Sequence, residues 1–304
     1  MAPQDMAADP REAVSVRPRR SCLYMPGTNA RAHEKAKALA ADVLIFDLED
    51  SVAPEAKGEA RDQVLAAIGA GGFGRREIVI RVNAMGTPWA ADDLRAVARS
   101  GAEGVVLPKV RGPEDVRAAA DLLVSEGGTA ALWAMMETAA AILAAPEIAA
   151  AHDRLAVFTM GLEDLAKELR AEMDGARTAL LYALERSVMA ARAHGLGIID
   201  AVYPAFDDDD GFAAACAEGR RLGFDGKQVI HPRQIAAANA AFGASAEAVA
   251  EARRVIAAFD AARRTGSHVA VLDGRMVEAL HADEARRLVA FADAVRALQA
   301  DAAS

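Results

Sequence analysis

Cysteine is nearly absent from this chain of 304 residues: only Cys22 and Cys216 occur, and neither sits in a CxxC pair. No disulfide framework can be built from them, so a reducing compartment, the cytoplasm, is expected. Long apolar runs are missing as well. The Ala-rich stretches are broken by charges and fall short of the roughly 20 residues a membrane span needs, and the polar start, Met1 to Arg20, has no apolar core of a signal peptide. Basic runs are also lacking: 35 Lys and Arg stand against 44 Asp and Glu, a net charge of −9. That balance argues against nucleic acid as a partner. A small anionic substrate remains open, because local Arg and Lys decide its binding. The six histidines show no HxxxH or HExxH spacing, which speaks against a zinc site. There is no GxSxG elbow and no cysteine with a plausible His partner, so nucleophilic catalysis has no support.

What is present is a repeating pattern. Short Val- and Ile-rich runs alternate with longer amphipathic stretches, the mark of βα units. Eight strands are expected, at Ser21–Pro26, Val43–Asp47, Glu77–Val82, Gly104–Pro108, Ala131–Met136, Leu155–Met160, Gly197–Val202 and Lys227–His231. Helices are expected over Pro54–Ala70, Trp89–Arg99, Pro113–Ser125, Leu180–His194 and Gly211–Leu222. Several open on Pro or acidic residues and close at Gly. Eight such units predict a closed (β/α)8 TIM barrel over residues 20–240. A Rossmann fold would want GxGxxG after the first strand, where Pro26-Gly27-Thr28-Asn29 stands instead. Residues 1–19 are expected to be a flexible N-terminus. Residues 241–304 form a C-terminal helical lid or oligomerisation segment, with a helix over Ala246–Arg264, an Asp273-Gly274 turn and a last helix from Ala282.

In a barrel of this kind chemistry gathers at the C-terminal ends of the strands. Those ends carry Asp47, Glu49 and Asp50, Arg81 and Asn83, Lys109, Glu137, Glu163 and Asp164, Asp200 and Tyr203, and His231. Glu137 and Asp164 follow successive strands and would converge. Two oxygen ligands with positions left for water or substrate suit Mg²⁺, with Mn²⁺ as a substitute; the alternative is that each caps the helix after it. Arg81 ends an apolar strand and can grip a carboxylate with two hydrogen bonds, or else form a structural pair with Asp47 or Glu49. Asp207–Asp210 lacks the Gly and distal Glu of an EF-hand and is better read as N-terminal helix charge.

The chain resembles the HpcH/HpaI aldolase and citrate lyase β-subunit family from about Arg20 to the tail. The likeness rests on Arg20-Ser21-Cys22-Leu23-Tyr24-Met25-Pro26-Gly27, Phe46-Asp47-Leu48-Glu49-Asp50-Ser51-Val52, Arg81-Val82-Asn83, Leu107-Pro108-Lys109, Met135-Met136-Glu137-Thr138, Met160-Gly161-Leu162-Glu163-Asp164-Leu165, Phe224-Asp225-Gly226-Lys227 and Ile230-His231-Pro232. Each is weak alone; their order makes them specific. The resemblance implies Mg²⁺ held by Glu137 and Asp164, with Arg81, Asp47 and Glu49 in the catalytic site. It implies coenzyme A near the first strand and its helix, at Arg20, Tyr24, Arg31 and Lys35. It also implies a homo-oligomer, a trimer or hexamer, whose C-terminal segment covers a neighbour's site. Within the family the malyl-CoA lyases and (3S)-malyl-CoA thioesterases are the nearest branch. The expected activity is cleavage of a malyl-CoA-type thioester to acetyl-CoA and glyoxylate, or its hydrolysis to malate and CoA. A citryl-CoA lyase, a pyruvate-type aldolase without CoA and a non-catalytic barrel subunit are the alternatives. Relatives often carry Asp in the tail motif where Glu278 stands here. Glu278 is the expected acid/base, its carboxylate one methylene further out.

Overall fold

The computed structural model describes residues 17–302, so most of the expected flexible N-terminus, residues 1–16, lies outside the described residues. Eight parallel strands close into a barrel in chain order. They are β1 (Ser21–Pro26), β2 (Val43–Asp47), β3 (Glu77–Arg81), β4 (Gly104–Leu107), β5 (Ala131–Met136), β6 (Leu155–Met160), β7 (Gly197–Asp200) and β8 (Gly226–Val229). β8 pairs back to β1 through Ser21↔Lys227, Cys22↔Gln228 and Leu23↔Val229, which closes the ring. Between the strands run α1 (Ala30–Ala36), α2 (Lys57–Ala70), α3 (Ala90–Ser100), α4 (Pro113–Ser125), α5 (Ala139–Leu143), α6 (Ala145–Ala149), α7 (Leu162–Leu169), α8 (Leu181–Ala193) and α9 (Asp209–Leu222). The expected (β/α)8 barrel is what the chain forms.

Period-two alternation on the strands gives the barrel two cores. Cys22, Val43, Ile45, Val79, Val106, Trp133, Met135, Val157 and Ile199 fill its inside. The alternate residues, among them Leu44, Phe46, Ile80, Leu132, Phe158 and Ile198, pack against the helices. Strands buried on both faces read as continuous apolar runs, which is why β2 (VLIFD) is buried at every position.

The N-terminal end of the barrel is tied by ion pairs. Arg20, 4% exposed, donates from Nε and Nη2 to Asp42 at 2.8 Å each, and Arg19 Nε reaches Glu77 at 2.6 Å. The Arg19 guanidinium also stacks 5.1 Å from the Trp133 ring. A second buried network lies between barrel and helices. Lys227 Nζ and Arg177 Nη1 both donate to Asp200, at 2.8 and 2.6 Å.

The chain divides into two compact units. After the barrel, whose unit runs Arg19–Gly243 and includes α10 (Gln234–Ala241), the second unit covers Ala244–Ala297. It contains α11 (Ala246–Arg264), the antiparallel pair β9 (Ala270–Leu272) and β10 (Arg275–Val277), and most of α12 (Ala279–Ala302). Asp273 and Gly274 take φ 50° and 74°, the left-handed pair that a two-residue hairpin turn requires. Phe259, Ala270, Val277 and Ala282 form its small core. The last helix begins at Ala279, three residues before its expected start. Among the described residues no helix is long and apolar enough to cross a membrane.

Candidate active site

The inward series that fills the barrel continues past the strand ends as polar residues. Val43 and Ile45 lead to Asp47, Val79 to Arg81, Trp133 and Met135 to Glu137, and Val157 and Thr159 to Gly161. Period two therefore aims these side chains at the C-terminal mouth. There they line a cavity of about 460 Å³ with Tyr24, Asp50, Asp164 and Gln228. Met135, Met160, Val202 and Ile230 add apolar surface to the lining.

Arg81 is the fixed point of one side. Its Nε and Nη2 donate to the two Asp47 oxygens at 2.6 and 2.7 Å, and its guanidinium lies 5.2 Å from the Tyr24 ring centre. Burial alone would raise the Asp47 carboxyl, but the hydrogen bonds from Arg81 outweigh it and hold the group below the usual carboxylate range. Glu49 Oε2 comes within 3.0 Å of Arg81 Nη1, yet the approach is too oblique for a hydrogen bond and the atom is left buried without a donor. Burial raises the Glu49 carboxyl, with Arg81 opposing. The pairing of Arg81 with Asp47 and Glu49 is thus real. It orients the guanidinium rather than retiring it, since a guanidinium has five N–H donors and Asp47 takes two.

Glu137, 2% exposed, and Asp164, in the first turn of α7, form the other side. Gly161, the N-cap of α7, lies close against Glu137. A Cβ there would fall 2.5 Å from Glu137 Oε2 and 2.6 Å from Glu137 Cβ. Burial pushes the Glu137 carboxyl up to about 8. For Asp164, burial is outweighed by the hydrogen bond from Lys109, and the carboxyl sits below its ordinary value. Lys109 bridges the pair. Its backbone N–H donates to Glu137 Oε1 at 2.6 Å, its Nζ bonds Asp164 Oδ2, and the same Nζ lies 3.6 Å from Glu137 Oε2.

A divalent cation fits this donor set. Among the described residues Asp47, Glu49, Glu137 and Asp164 form ion pairs with Arg81 and Lys109, four carboxylates against two cations. The donors are hard oxygens, and the Lys109 ammonium stands among them. Among the described residues no group of three or more His, Cys, Asp and Glu is arranged as a metal cage. A two-carboxylate site with open positions is how Mg²⁺ is usually held.

Two expected coenzyme contacts need comment. Arg20 does not reach the mouth: it precedes β1 and is buried against Asp42 at the opposite end of the barrel. That assignment is corrected by the direction of the strand. Tyr24 does line the cavity, but its hydroxyl is buried without a partner. Arg31 and Lys35 are exposed on α1, one turn apart. Glu278 belongs to the second unit, between β10 and α12, where its backbone N–H donates to His281 Nδ1 at 3.1 Å. The Asp207–Asp210 run is a cap as expected: Asp208 accepts the Gly211 N–H at 2.9 Å and the Tyr203 hydroxyl at 2.6 Å. Sequence reasoning placed Lys109 at the rim without a role and missed Gln228, whose Nε2 donates to Met160 O at 2.5 Å. A polar residue at an inward position of β8 was the available signal for Gln228.

Residues 20–232 match the HpcH/HpaI aldolase/citrate lyase family. A (3S)-malyl-CoA thioesterase of Cereibacter sphaeroides is 49% identical over 288 residues, covering 95% of this chain and 99% of that protein. The citrate lyase subunit beta of Escherichia coli is 38% identical over 284 residues, covering 91% and 94%. Among solved structures, protein CitE of Mycobacterium tuberculosis in complex with magnesium, acetoacetate and coenzyme A superposes with a TM-score of 0.71 at 31% identity, covering 90% of this chain and 97% of that one. On its motifs, its barrel and these matches, the chain belongs to the HpcH/HpaI aldolase/citrate lyase family.

Proposed function

We propose that the protein is a Mg²⁺-dependent enzyme that hydrolyses a (3S)-malyl-CoA-type thioester to malate and CoA. The observation that carries this reading is that Arg81 and the Glu137–Asp164 pair face one cavity in a chain 49% identical to a (3S)-malyl-CoA thioesterase. Glu137 and Asp164 are the residues that would hold Mg²⁺, which supplies Lewis-acid polarisation and a template for the substrate's oxygens. Arg81, kept in place by Asp47 and flanked by Glu49, turns its remaining N–H groups to the acyl oxygens. Water adds to the thioester carbonyl, the carbonyl oxygen becomes an oxyanion, and Arg81 stabilises that charge. The C–S bond then breaks, and the thiolate takes a proton and leaves as CoA. The nucleotide end of CoA lies towards Arg31 and Lys35 at the rim.

Carbon–carbon cleavage is the second reading, favoured by the 38% identity to a citrate lyase subunit. There a base removes the 3-hydroxyl proton, the C–C bond breaks to give glyoxylate, and the thioester enolate takes a proton at carbon from Glu278. Glu278 belongs to the C-terminal unit of a neighbouring copy in a trimer or hexamer. The support for such an assembly is apolar: Val271 and Met276, cross-strand partners in the hairpin, and Leu280 are 73%, 60% and 61% exposed.

The test is to incubate the purified protein with (3S)-malyl-CoA, with Mg²⁺ and then with EDTA, following free thiol and glyoxylate separately. Mg²⁺-dependent malate and free CoA establish the hydrolase, glyoxylate and acetyl-CoA the lyase. Neither product under either condition refutes both.

A further inference from the structure

Lys109 is the residue of the site that neither catalytic reading uses, and its geometry is unusual at every level. Its φ of 52° lies in the left-handed region, which L-residues other than Asn and Asp seldom enter. The conformation is held from outside, because the Lys109 N–H donates to Glu137 Oε1 at 2.6 Å. Strained backbone that surrounding contacts keep in place is typical of functional sites. From that anchored main chain the side chain runs to Asp164, so one residue is bonded through its backbone to one carboxylate of the pair and through its side chain to the other. Its Nζ also stands 3.6 Å from Glu137 Oε2, 3.7 Å from Glu49 Oε1 and 3.7 Å from Asp50 Oδ2. Four carboxylates surround one ammonium.

Glu137 and Asp164 would hold the metal ion through their carboxylate oxygens. Lys109 Nζ already stands at the same two carboxylates, bonded to Asp164 Oδ2 and 3.6 Å from Glu137 Oε2. Two cations held by the same two carboxylates repel one another. We propose that Lys109 is a tethered cation that competes with Mg²⁺ for the Glu137–Asp164 carboxylates, so that this lysine sets the metal affinity. The inference rests on the reading of Glu137 and Asp164 as metal ligands. It adds that metal binding and the Lys109–Asp164 ion pair exclude one another. A route out is present. The lysine side chain is 32% exposed, and Asp50, 62% exposed, stands beside it to receive the ammonium. A flexible four-carbon stem permits that swing.

The experiment is calorimetric titration of Mg²⁺ into the full-length protein without substrate, comparing wild type with Lys109→Met at one ionic strength. Removing the competing cation is expected to tighten Mg²⁺ binding about tenfold, within the range of ordinary site-to-site couplings. Thermal melting is the second readout. Metal-free Lys109→Met should melt below wild type, and saturating Mg²⁺ should raise its Tm by more than it raises that of wild type. Lys109→Gln repeats both measurements should the methionine variant not fold. Unchanged or weaker affinity in the variants overturns the proposal and makes Lys109 a group that orients the ligands. A wild-type titration without binding heat, or with heat that persists in Glu137→Gln, instead refutes the metal site itself and the proposal with it.

Discussion

Replacing Gly161 by alanine tests the geometry of the site with the least chemical change. Gly161 has φ −118°, a conformation any residue adopts, so backbone strain plays no part. The obstacle is space: the new methyl would lie 2.6 Å from Glu137 Cβ and 2.5 Å from its Oε2. Carbon atoms in favourable contact stand about 3.5–4.0 Å apart, so the two must separate by about 1 Å. Turning the Glu137 side chain relieves the oxygen contact but not the Cβ contact, because Cβ is fixed by the backbone. The ends of β5 and β6 must move apart, carrying Glu137 and Asp164 with them. Such overpacking costs about 1–3 kcal/mol, and a 1 Å displacement at a catalytic group costs about 10²-fold in rate. Gly161→Ala should therefore lower kcat/KM by about 10²-fold and weaken Mg²⁺ binding measured by calorimetry, while the fold persists in far-UV circular dichroism. Gly58→Ala, where a Cβ meets nothing within 4 Å, is the control and should leave both unchanged. Wild-type Mg²⁺ affinity and rate in Gly161→Ala would refute the placement of Glu137 against β6.

Other substitutions probe the supports. Arg81→Lys keeps the charge but loses the fork that grips both Asp47 oxygens, and kcat/KM should fall by about 10²-fold in the thioester assay; wild-type kinetics would remove Arg81 from the mechanism. Lys227→Met leaves Asp200 buried with one cation fewer, since the two side chains are 1% and 0% exposed. Unfolding in denaturant should show a loss of about 3 kcal/mol, and a variant as stable as wild type would show the network to be dispensable. Asp47→Asn should alter the acid limb of stability. The depressed Asp47 carboxyl contributes stability that is full above its unfolded pKa, about 4, and is lost as pH falls through the lower folded value. Wild type should therefore lose more stability than Asp47→Asn between pH 4 and pH 2, followed by urea midpoints.

The barrel was legible because its signal is repeated. Strands buried on both faces leave apolar runs whose ends can be read, and β1, β2, β5 and β6 begin and end where the sequence predicts. The eighth was read one residue late and two too far. It starts at Gly226, and beyond Val229 the Gln234 side chain takes the N–H groups of Ile230 and His231, at 2.9 and 3.2 Å, that a strand would have paired. That Asp47, Arg81 and Glu137 face the mouth of the barrel was legible for a related reason, since a polar residue that ends an apolar inward series points the way the series does. Lys109 was not given a role. Its reach depends on a positive φ, and nothing in Leu107-Pro108-Lys109 announces a left-handed residue that is not glycine. Arg20 was placed wrongly although the direction of β1 was available. A residue before a barrel strand lies at the end away from the chemistry.

The plugged inside of the barrel has a consequence for traffic. Trp133, wholly buried in the inner layer and covered by Arg19, makes the site a blind alley instead of a tunnel. Whatever enters must turn round and leave by the same door. A long thioester therefore arrives acyl end first, with its bulky handle trailing in the doorway, and both products leave on the side from which it came.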